Sequence, residues 1–295
     1  MIGKRLDGRV IAEQIRSELA NDVRFLKETH DVTPGLAVVL VGNNPASLSY
    51  VNAKTDACKK LGVKSLQLNF DEETDTESLL DEIEALNVNP NIHGILVQLP
   101  LPNQREDQVI NRILPEKDVD GLHPVNLGRL MRGEEGFFPC TPYGVLEILY
   151  RSGIEVSGKH AVVVGRSSLV GRPIANLLSQ KMDMGNATVT LCHTGTPDVG
   201  RYTRQADILI VATGQPKAIK WDMVKDGAVV IDVGVNRVED RSRERGWRLV
   251  GDVDYNLVRK KVAAITPVPN GVGPMTITML LNNVIKAAKN SIAGY

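Results

Sequence analysis

The sequence predicts an α/β protein of two domains: an N-terminal three-layer α/β domain with a parallel sheet, and a C-terminal Rossmann-like domain. Three observations predict it. Continuous apolar runs bounded by turn residues, Gly35 to Val41 (GLAVVLV) and His93 to Gln98 (HGILVQ), read as strands buried on both faces. Such runs alternate with helical patterns along the chain, and that alternation implies a parallel sheet covered by helices on both sides. Lys159 to Ser179 (KHAVVVGRSSLVGRPIANLLS) reads as strand, glycine turn and helix start, where backbone N–H groups can receive a phosphate.

Composition sets the bounds. At 295 residues, 42% hydrophobic and 24% charged, the chain is long enough for two modest domains. Its 35 basic and 35 acidic residues cancel, which argues against nucleic acid or an anionic membrane as the main partner. No apolar run approaches the roughly 20 residues that span a bilayer. The start MIGKRLDGRV lacks the apolar core of a signal peptide, so a cytoplasmic location is the expectation. Cys58, Cys140 and Cys192 are far apart and form no C-x-x-C, as expected of reduced, buried thiols. His30, His93, His123, His160 and His193 lack metal-site spacing, and no metal site is expected.

In chain order, Gly8 to His30 places Ile11, Ile15, Leu19, Val23 and Leu26 at helical intervals and reads as a docking helix. The strand Gly35 to Val41 ends in the turn residues Gly42, Asn43, Asn44 and Pro45. A helix follows from about Ser47 to Leu61, then a strand Lys64 to Phe70 and a helix Thr76 to Leu86. The strand His93 to Gln98 is stopped by Leu99-Pro100-Leu101-Pro102. Glu106 to Leu114 reads as a short helix and Pro115 to Gly121 (PEKDVDG) as a charged loop. Thr141 to Ser152 reads as a helix with Thr141 as N-cap and Pro142 at its first position. The domain crossover lies along that helix, giving domains 1–145 and 146–273. Ala187 to Leu191, Ala206 to Ala212, Ala228 to Gly234 and Val262 to Ile265 complete the second domain's strands. Arg237 to Arg248, dense in mixed charge around Gly246, reads as a solvated hairpin or loop. From Gly273, the residues Met275, Met279, Leu280, Val284 and Ile285 form a last amphipathic helix.

The glycine turn departs from G-x-G-x-x-G, because Arg166 and Ser167 stand where a second glycine would be. An ordinary βα turn remains an alternative. The next strand ends in Cys192, His193 and Thr194, with no acidic residue to take the ribose hydroxyls of NAD. Arg166 offers a fork of donors suited to a 2′-phosphate, so NADP is expected over NAD, against the alternative of a solvated surface arginine.

Three polar clusters in the first domain fall at strand ends, where ligands of parallel sheets bind. Tyr50 and Lys54 are four apart on one helical face, and a partly desolvated lysine beside a phenol suits proton transfer near neutral pH. The alternative is a solvated surface pair. Gln98 closes a buried strand and could orient a bound polar group, although strand-end glutamines are usually just solvated. Asp118 and Asp120 in PEKDVDG could accept paired N–H donors from an amino-heterocycle, or simply cap a turn. No Ser/His/Asp or Cys/His constellation is legible.

Taken together, these stretches resemble the bifunctional methylenetetrahydrofolate dehydrogenase/cyclohydrolase family. The resemblance rests on VGNNPASLSYVNAK (41–54), GILVQLPLP (94–102), PEKDVDGLHPVNLGRL (115–130), PCTPYG (139–144), GKHAVVVGRSSLVGRP (158–173), ATGQP (212–216), VIDVGVN (230–236), VGDVD (250–254) and TPVPNGVGPMT (266–276). It implies hydride transfer from 5,10-methylenetetrahydrofolate to NADP⁺ and hydrolysis of the methenyl cation, both at one site in a cleft between the domains. It further implies Lys54 as the central catalytic residue, assisted by Tyr50 and Gln98, with Asp120 holding the pterin. Gly165, Arg166, Ser167, Thr194 and Val235 fall at the family's NADP contacts, and Cys140 at a cysteine read here as packing. The last helix, 274–295, is expected to return to the first domain, which would bind folate, and the protein to be a homodimer paired through the nucleotide domains. One departure is Asn270, where the family has glycine; asparagine tolerates a left-handed backbone best among the others, so the loop is expected to keep its shape. Two other function classes fit the residues before the resemblance is weighed: a shikimate-type nicotinamide-dependent dehydrogenase, and a non-catalytic nucleotide-binding module.

Overall fold

The computed structural model describes residues 2–293. The chain begins with β1 (Lys4–Arg5), α1 (Gly8–His30), β2 (Gly35–Val41), α2 (Pro45–Leu61), β3 (Lys64–Phe70), α3 (Thr76–Val88) and β4 (Gly94–Val97). It continues through α4 (Glu106–Arg112), α5 (Pro124–Arg132), α6 (Cys140–Arg151), β5 (His160–Val164), α7 (Gly171–Ser179), β6 (Thr188–Cys192), α8 (Val199–Thr203) and β7 (Ile208–Val211). The last elements are β8 (Val229–Asp232), β9 (Asn236–Glu239), β10 (Trp247–Val250), α9 (Tyr255–Val258), β11 (Ala264–Ile265) and α10 (Val272–Ala293). Two compact units result: Glu13–Cys140 with the chain from Ile277 onward, and the first twelve residues with Thr141–Thr276.

The first of these units is built on a parallel sheet in the order β3-β2-β4. All seven residues of β2 are buried, as its unbroken apolar run requires. Ala37, Val39 and Val41 pack with Leu79, Ile83 and Leu86 of α3 and Val109 of α4. Leu36, Val38 and Leu40 point to the opposite face and are just as buried, so both faces are covered. Truncating such a leucine to alanine typically costs about 2–5 kcal/mol. The edge strand β3 alternates instead. From Ile277 onward α10 belongs to this unit, and Asn283 Nδ2 donates to the carbonyls of Val119 (2.8 Å) and Phe138 (3.1 Å). The last two residues of the expected helix 274–295 lie outside the described residues.

The other unit carries a six-stranded parallel sheet in the order β1-β11-β8-β7-β5-β6. Val162, Leu209, Val211, Val230 and Ile265 fill one face of it against Ile219, Val258 and Val262. The Arg237 to Arg248 stretch is an antiparallel hairpin, β9 with β10, and the guanidinium carbons of Arg237 and Arg245 lie 4.3 and 4.1 Å from the centroid of the Trp247 ring.

Three local features differ from the sequence reading. The two-residue β1 joins the six-stranded sheet by pairing Lys4 with Ala264, although the sequence places residues 1–145 in one domain; two residues are too short to carry any periodicity. Helix α5 occupies PVNLGRLMR, which no expectation covered. His123 caps it by accepting from Val125 N–H at 3.1 Å, and Gly133 ends it in the left-handed region at φ 69°. Helix α6 starts at Cys140, so Thr141 lies inside its first turn and is not the N-cap; its hydroxyl pairs with that of Thr276 at 2.9 Å.

Candidate active site

In the three-stranded sheet β2 leads through α2 to β3 on one side, and β3 crosses back through α3 to β4 on the other, so the direction of winding reverses beside β2. That divergence opens a crevice at the strand's carboxyl end, the usual ligand position of such sheets. Helix α2 starts there, and its inward stripe runs Ser47, Val51, Lys54 and Cys58 at helical spacing. Lys54 is therefore 8% exposed, not a solvated surface group. Its ammonium donates to Gln98 Oε1 at 2.9 Å. Gln98 stands just past β4 and is fixed in turn by donating Nε2–H to the Leu99 carbonyl at 2.8 Å, which leaves its oxygen for the lysine. Tyr50, one turn before Lys54, is 45% exposed.

The PEKDVDG loop lies alongside β4, with Ile95 bridged in parallel to Asp118. Its two aspartates separate in role. Asp118 is buried and accepts from His123 N–H (2.8 Å), Leu122 N–H (3.2 Å) and Asn126 Nδ2 (2.8 Å), so it organises the turn into α5; burial raises its pKa. Asp120 is half-buried beside the Cys140 thiol, which donates to the Val119 carbonyl at 3.4 Å. Burial above all, then the Asp120 charge, holds that thiol well above the ordinary cysteine range, while the Lys54 ammonium acts in the opposite sense. Cys140 is thus a neutral packing thiol, and Lys54, Asp120 and Gln98 share its neighbourhood.

In the six-stranded sheet the corresponding divergence is at β5, which lies between β6 and β7. Gly165 follows it at φ 126°, and a Cβ there would overlap the Ala212 carbonyl oxygen. A Cβ on Gly171 would overlap the Gly165 carbonyl, so both positions keep the backbone bare at the start of α7. Ser167 Oγ accepts from the N–H groups of Val170 (3.1 Å) and Gly171 (3.4 Å), and Arg166 is exposed beside it. Because Val164 pairs with Cys192, Arg166 and Thr194 each stand two residues beyond matched strand ends. Val235, beyond β8, is 43% exposed.

The sequence reading passed over two buried carboxylates that tie this end together. Asp232 accepts from Gly234 N–H (3.1 Å), Asp252 N–H (3.0 Å) and Val253 N–H (2.9 Å). Asp252 accepts from Thr213 N–H (2.6 Å), Gly214 N–H (2.9 Å) and Asn236 Nδ2 (2.8 Å). Each carboxylate sits where a Cβ on the other's glycine neighbour, Gly251 or Gly234, would stand. The paired D-x-G and G-D spacing in VIDVG and VGD was the available signal. Asn270 adopts φ 76°, so it takes the left-handed conformation expected of it. Among the described residues no His/Cys/Asp/Glu cluster could hold a metal ion, and no helix is long and apolar enough to cross a membrane.

A buried lysine bonded to an amide at one sheet's diverging end, and a bare glycine turn at the other's, define a two-unit α/β enzyme of the nucleotide-dependent class. Profiles of the tetrahydrofolate dehydrogenase/cyclohydrolase catalytic domain and NAD(P)-binding domain match residues 6–120 and 139–292. The chain is 56% identical to the bifunctional protein FolD of Syntrophus aciditrophicus, covering 96% of this chain and 97% of that one. It also superposes on the crystal structure of the bifunctional FolD enzyme from Campylobacter jejuni with a TM-score of 0.91 and 48% identity, over 97% and 99% of the two chains. A Trypanosoma brucei methylenetetrahydrofolate dehydrogenase-cyclohydrolase, solved with NADP cofactor and an inhibitor, gives 0.93 at 39% identity over 99% of each chain. The chain belongs to the tetrahydrofolate dehydrogenase/cyclohydrolase family. A Thermus thermophilus shikimate 5-dehydrogenase matches at a TM-score of 0.52 and 17% identity, covering 87% of this chain and 99% of that one, a likeness of fold alone.

Proposed function

We infer that this chain oxidises 5,10-methylenetetrahydrofolate with NADP⁺ and hydrolyses the methenyl product to 10-formyltetrahydrofolate. The observation that carries this reading is the buried Lys54 ammonium bonded to Gln98 beside Asp120. A cationic methenyl carbon is attacked by water, which must lose a proton; the amine form of Lys54, which still has an N–H to donate to Gln98, can take that proton and return it from the resulting ammonium. Gln98 aims that amine, and the half-exposed Tyr50 hydroxyl is the second polar group on the same helical face. Asp120 accepts the paired N–H groups of the pterin ring, which fixes the folate's orientation.

The glycine turn suits a dinucleotide phosphate, since Gly165 and Gly171 let the backbone after β5 pack tightly against Ala212 and turn directly into the N-terminus of α7, where free N–H groups can receive an anion. Gly165 and Ser167 form that cradle, Arg166 pairs with the 2′-phosphate, and Thr194 and Val235 flank the ligand. NADP⁺, when bound, supplies the hydride acceptor. In this assignment the unit of Glu13–Cys140 with the chain from Ile277 onward is the folate-binding catalytic domain, and the unit that holds the six-stranded sheet is the NADP-binding domain. The protein acts in the cytoplasm as a homodimer paired through its nucleotide domains, with no nucleic-acid partner. One spectroscopic assay tests the reading: with NADP⁺ and methylenetetrahydrofolate, the methenyl absorbance should rise and then decay. An enzyme that reduces NADP⁺ with shikimate and ignores the folate would overturn it.

A further inference from the structure

A cavity of about 370 Å³ lies in the six-stranded unit, outside the residues used above for folate and NADP. Four cations from four separate segments line it: Arg5 of β1, Lys217, Arg248 of β10 and Arg259 just after α9. Two carboxylates, Asp232 and Asp254, also line it. Three of the cations already have a carboxylate partner, whereas the Nε of Arg259 has none. Asp232 already accepts three backbone N–H bonds, and burial raises its pKa to about 7. Asp254 is 3.7 Å from Lys217, while Arg5 and Arg248 reach Asp7 and Asp240, each at 3.2 Å, neither of which faces the cavity.

Arg259 is the unusual member. Its guanidinium carbon lies 5.8 Å from the centroid of the Tyr255 ring, and its Nε is buried with no hydrogen-bond partner. Burying a charged N–H without an acceptor is costly, and such groups normally find one. A guanidinium fork ringed by further cations matches an oxyanion with several acceptor oxygens. The volume admits more than the anion alone, and the Tyr255 ring offers a flat wall beside it.

We propose that this cavity binds a phosphate-type oxyanion, free or carried as a small monoester, with Arg259 as its central donor and Arg5, Lys217 and Arg248 at its rim. The test is isothermal titration of the full chain saturated with NADP⁺ and carrying Arg166→Gln, so that the phosphate cradle at the glycine turn is occupied, at constant ionic strength against chloride. The probes are inorganic phosphate and adenosine monophosphate. One saturable site per chain at or below about 1 mM is expected. Adding Arg259→Gln should weaken it about tenfold and Arg5→Gln severalfold. Tighter binding of the monoester would identify the ester as the source, and equal binding the free anion. If Arg259→Gln fails to give the parent's circular dichroism, Arg5→Gln and Lys217→Gln, both on exposed side chains, decide the matter. No saturable heat from either probe, or binding that none of the folded variants alters, overturns the proposal.

Discussion

The Lys54 ammonium donates to the Gln98 side-chain oxygen across 2.9 Å, joining α2 to the end of β4 through residues 44 apart in sequence. Replacing Lys54 with methionine keeps the volume and apolar stem and removes the amine. Methenyl hydrolysis should fall by roughly 10²–10⁴-fold, the usual contribution of a positioned proton-transfer group. Circular dichroism and NADP affinity should stay at wild type. Unimpaired hydrolysis by the folded variant would take lysine out of the mechanism.

Gln98→Glu tests what the amide does. A carboxylate cannot donate to the Leu99 carbonyl, so the side chain loses its anchor, and its charge would hold the lysine as a paired ammonium. Hydrolysis should drop about 10²-fold with its pH optimum moved upward, measured from methenyl decay across pH. An unshifted profile would leave Gln98 as packing.

Arg166→Ala should weaken NADP about tenfold or more, the value of one charge-assisted hydrogen bond, while NAD affinity hardly changes. Fluorescence titration with both cofactors gives the comparison. Equal losses would mean that the guanidinium does not touch the 2′-phosphate.

Asp232 predicts a pH dependence of stability. Burial first, with the Asp252 charge adding to it, raises its pKa from 3.8 to about 7. A raised folded-state pKa means that the native state holds the proton more tightly. The resulting stabilisation is full below about pH 3.8 and is lost as pH rises through about 7. Urea melts at pH 5 and pH 8 should show a larger decrease in unfolding free energy for the wild type than for Asp232→Asn. The variant should also be less stable throughout, because one amide oxygen cannot accept all three N–H bonds. Parallel pH profiles would place the titration elsewhere.

Cys58, Cys140 and Cys192 are all buried, and burial raises their pKa values, Cys58 to about 11. Thiolate is the reactive form, so a disulfide reagent at pH 8 should label none of the three rapidly in native protein and all three in urea. Fast native labelling would contradict this burial.

The fold was legible wherever burial imposes a period. The bounds of α1, β2 and β3 coincide with those read from apolar spacing, because a strand buried on both faces or a helix docked on one must write that pattern. Elements held by pairing or capping were not legible. Strand β1 exists because Ala264 stands opposite Lys4, and α5 because His123 and Gly133 close its ends around a polar segment. The candidate site divides the same way. Lys54, Gln98 and Asp120 are candidates by position with solvated alternatives open, and receive roles only through the family resemblance, whereas Asp118, equal to Asp120 as a motif letter, proves to be a turn organiser only once its three donors are seen.

By itself the sequence determined the alternating α/β class, the glycine turn after β5 and the residues that carry the family resemblance, since each is written locally in residue type and spacing. Tertiary structure decided which charges are buried and what they hold. It set Lys54 inward against Gln98, locked Asp232 and Asp252, twenty residues apart in the chain, around each other's glycines, and left Arg259 Nε without an acceptor. The reason is physical: desolvation and hydrogen-bond partnership depend on distance in space, and for these groups the partners come from segments that only folding brings together.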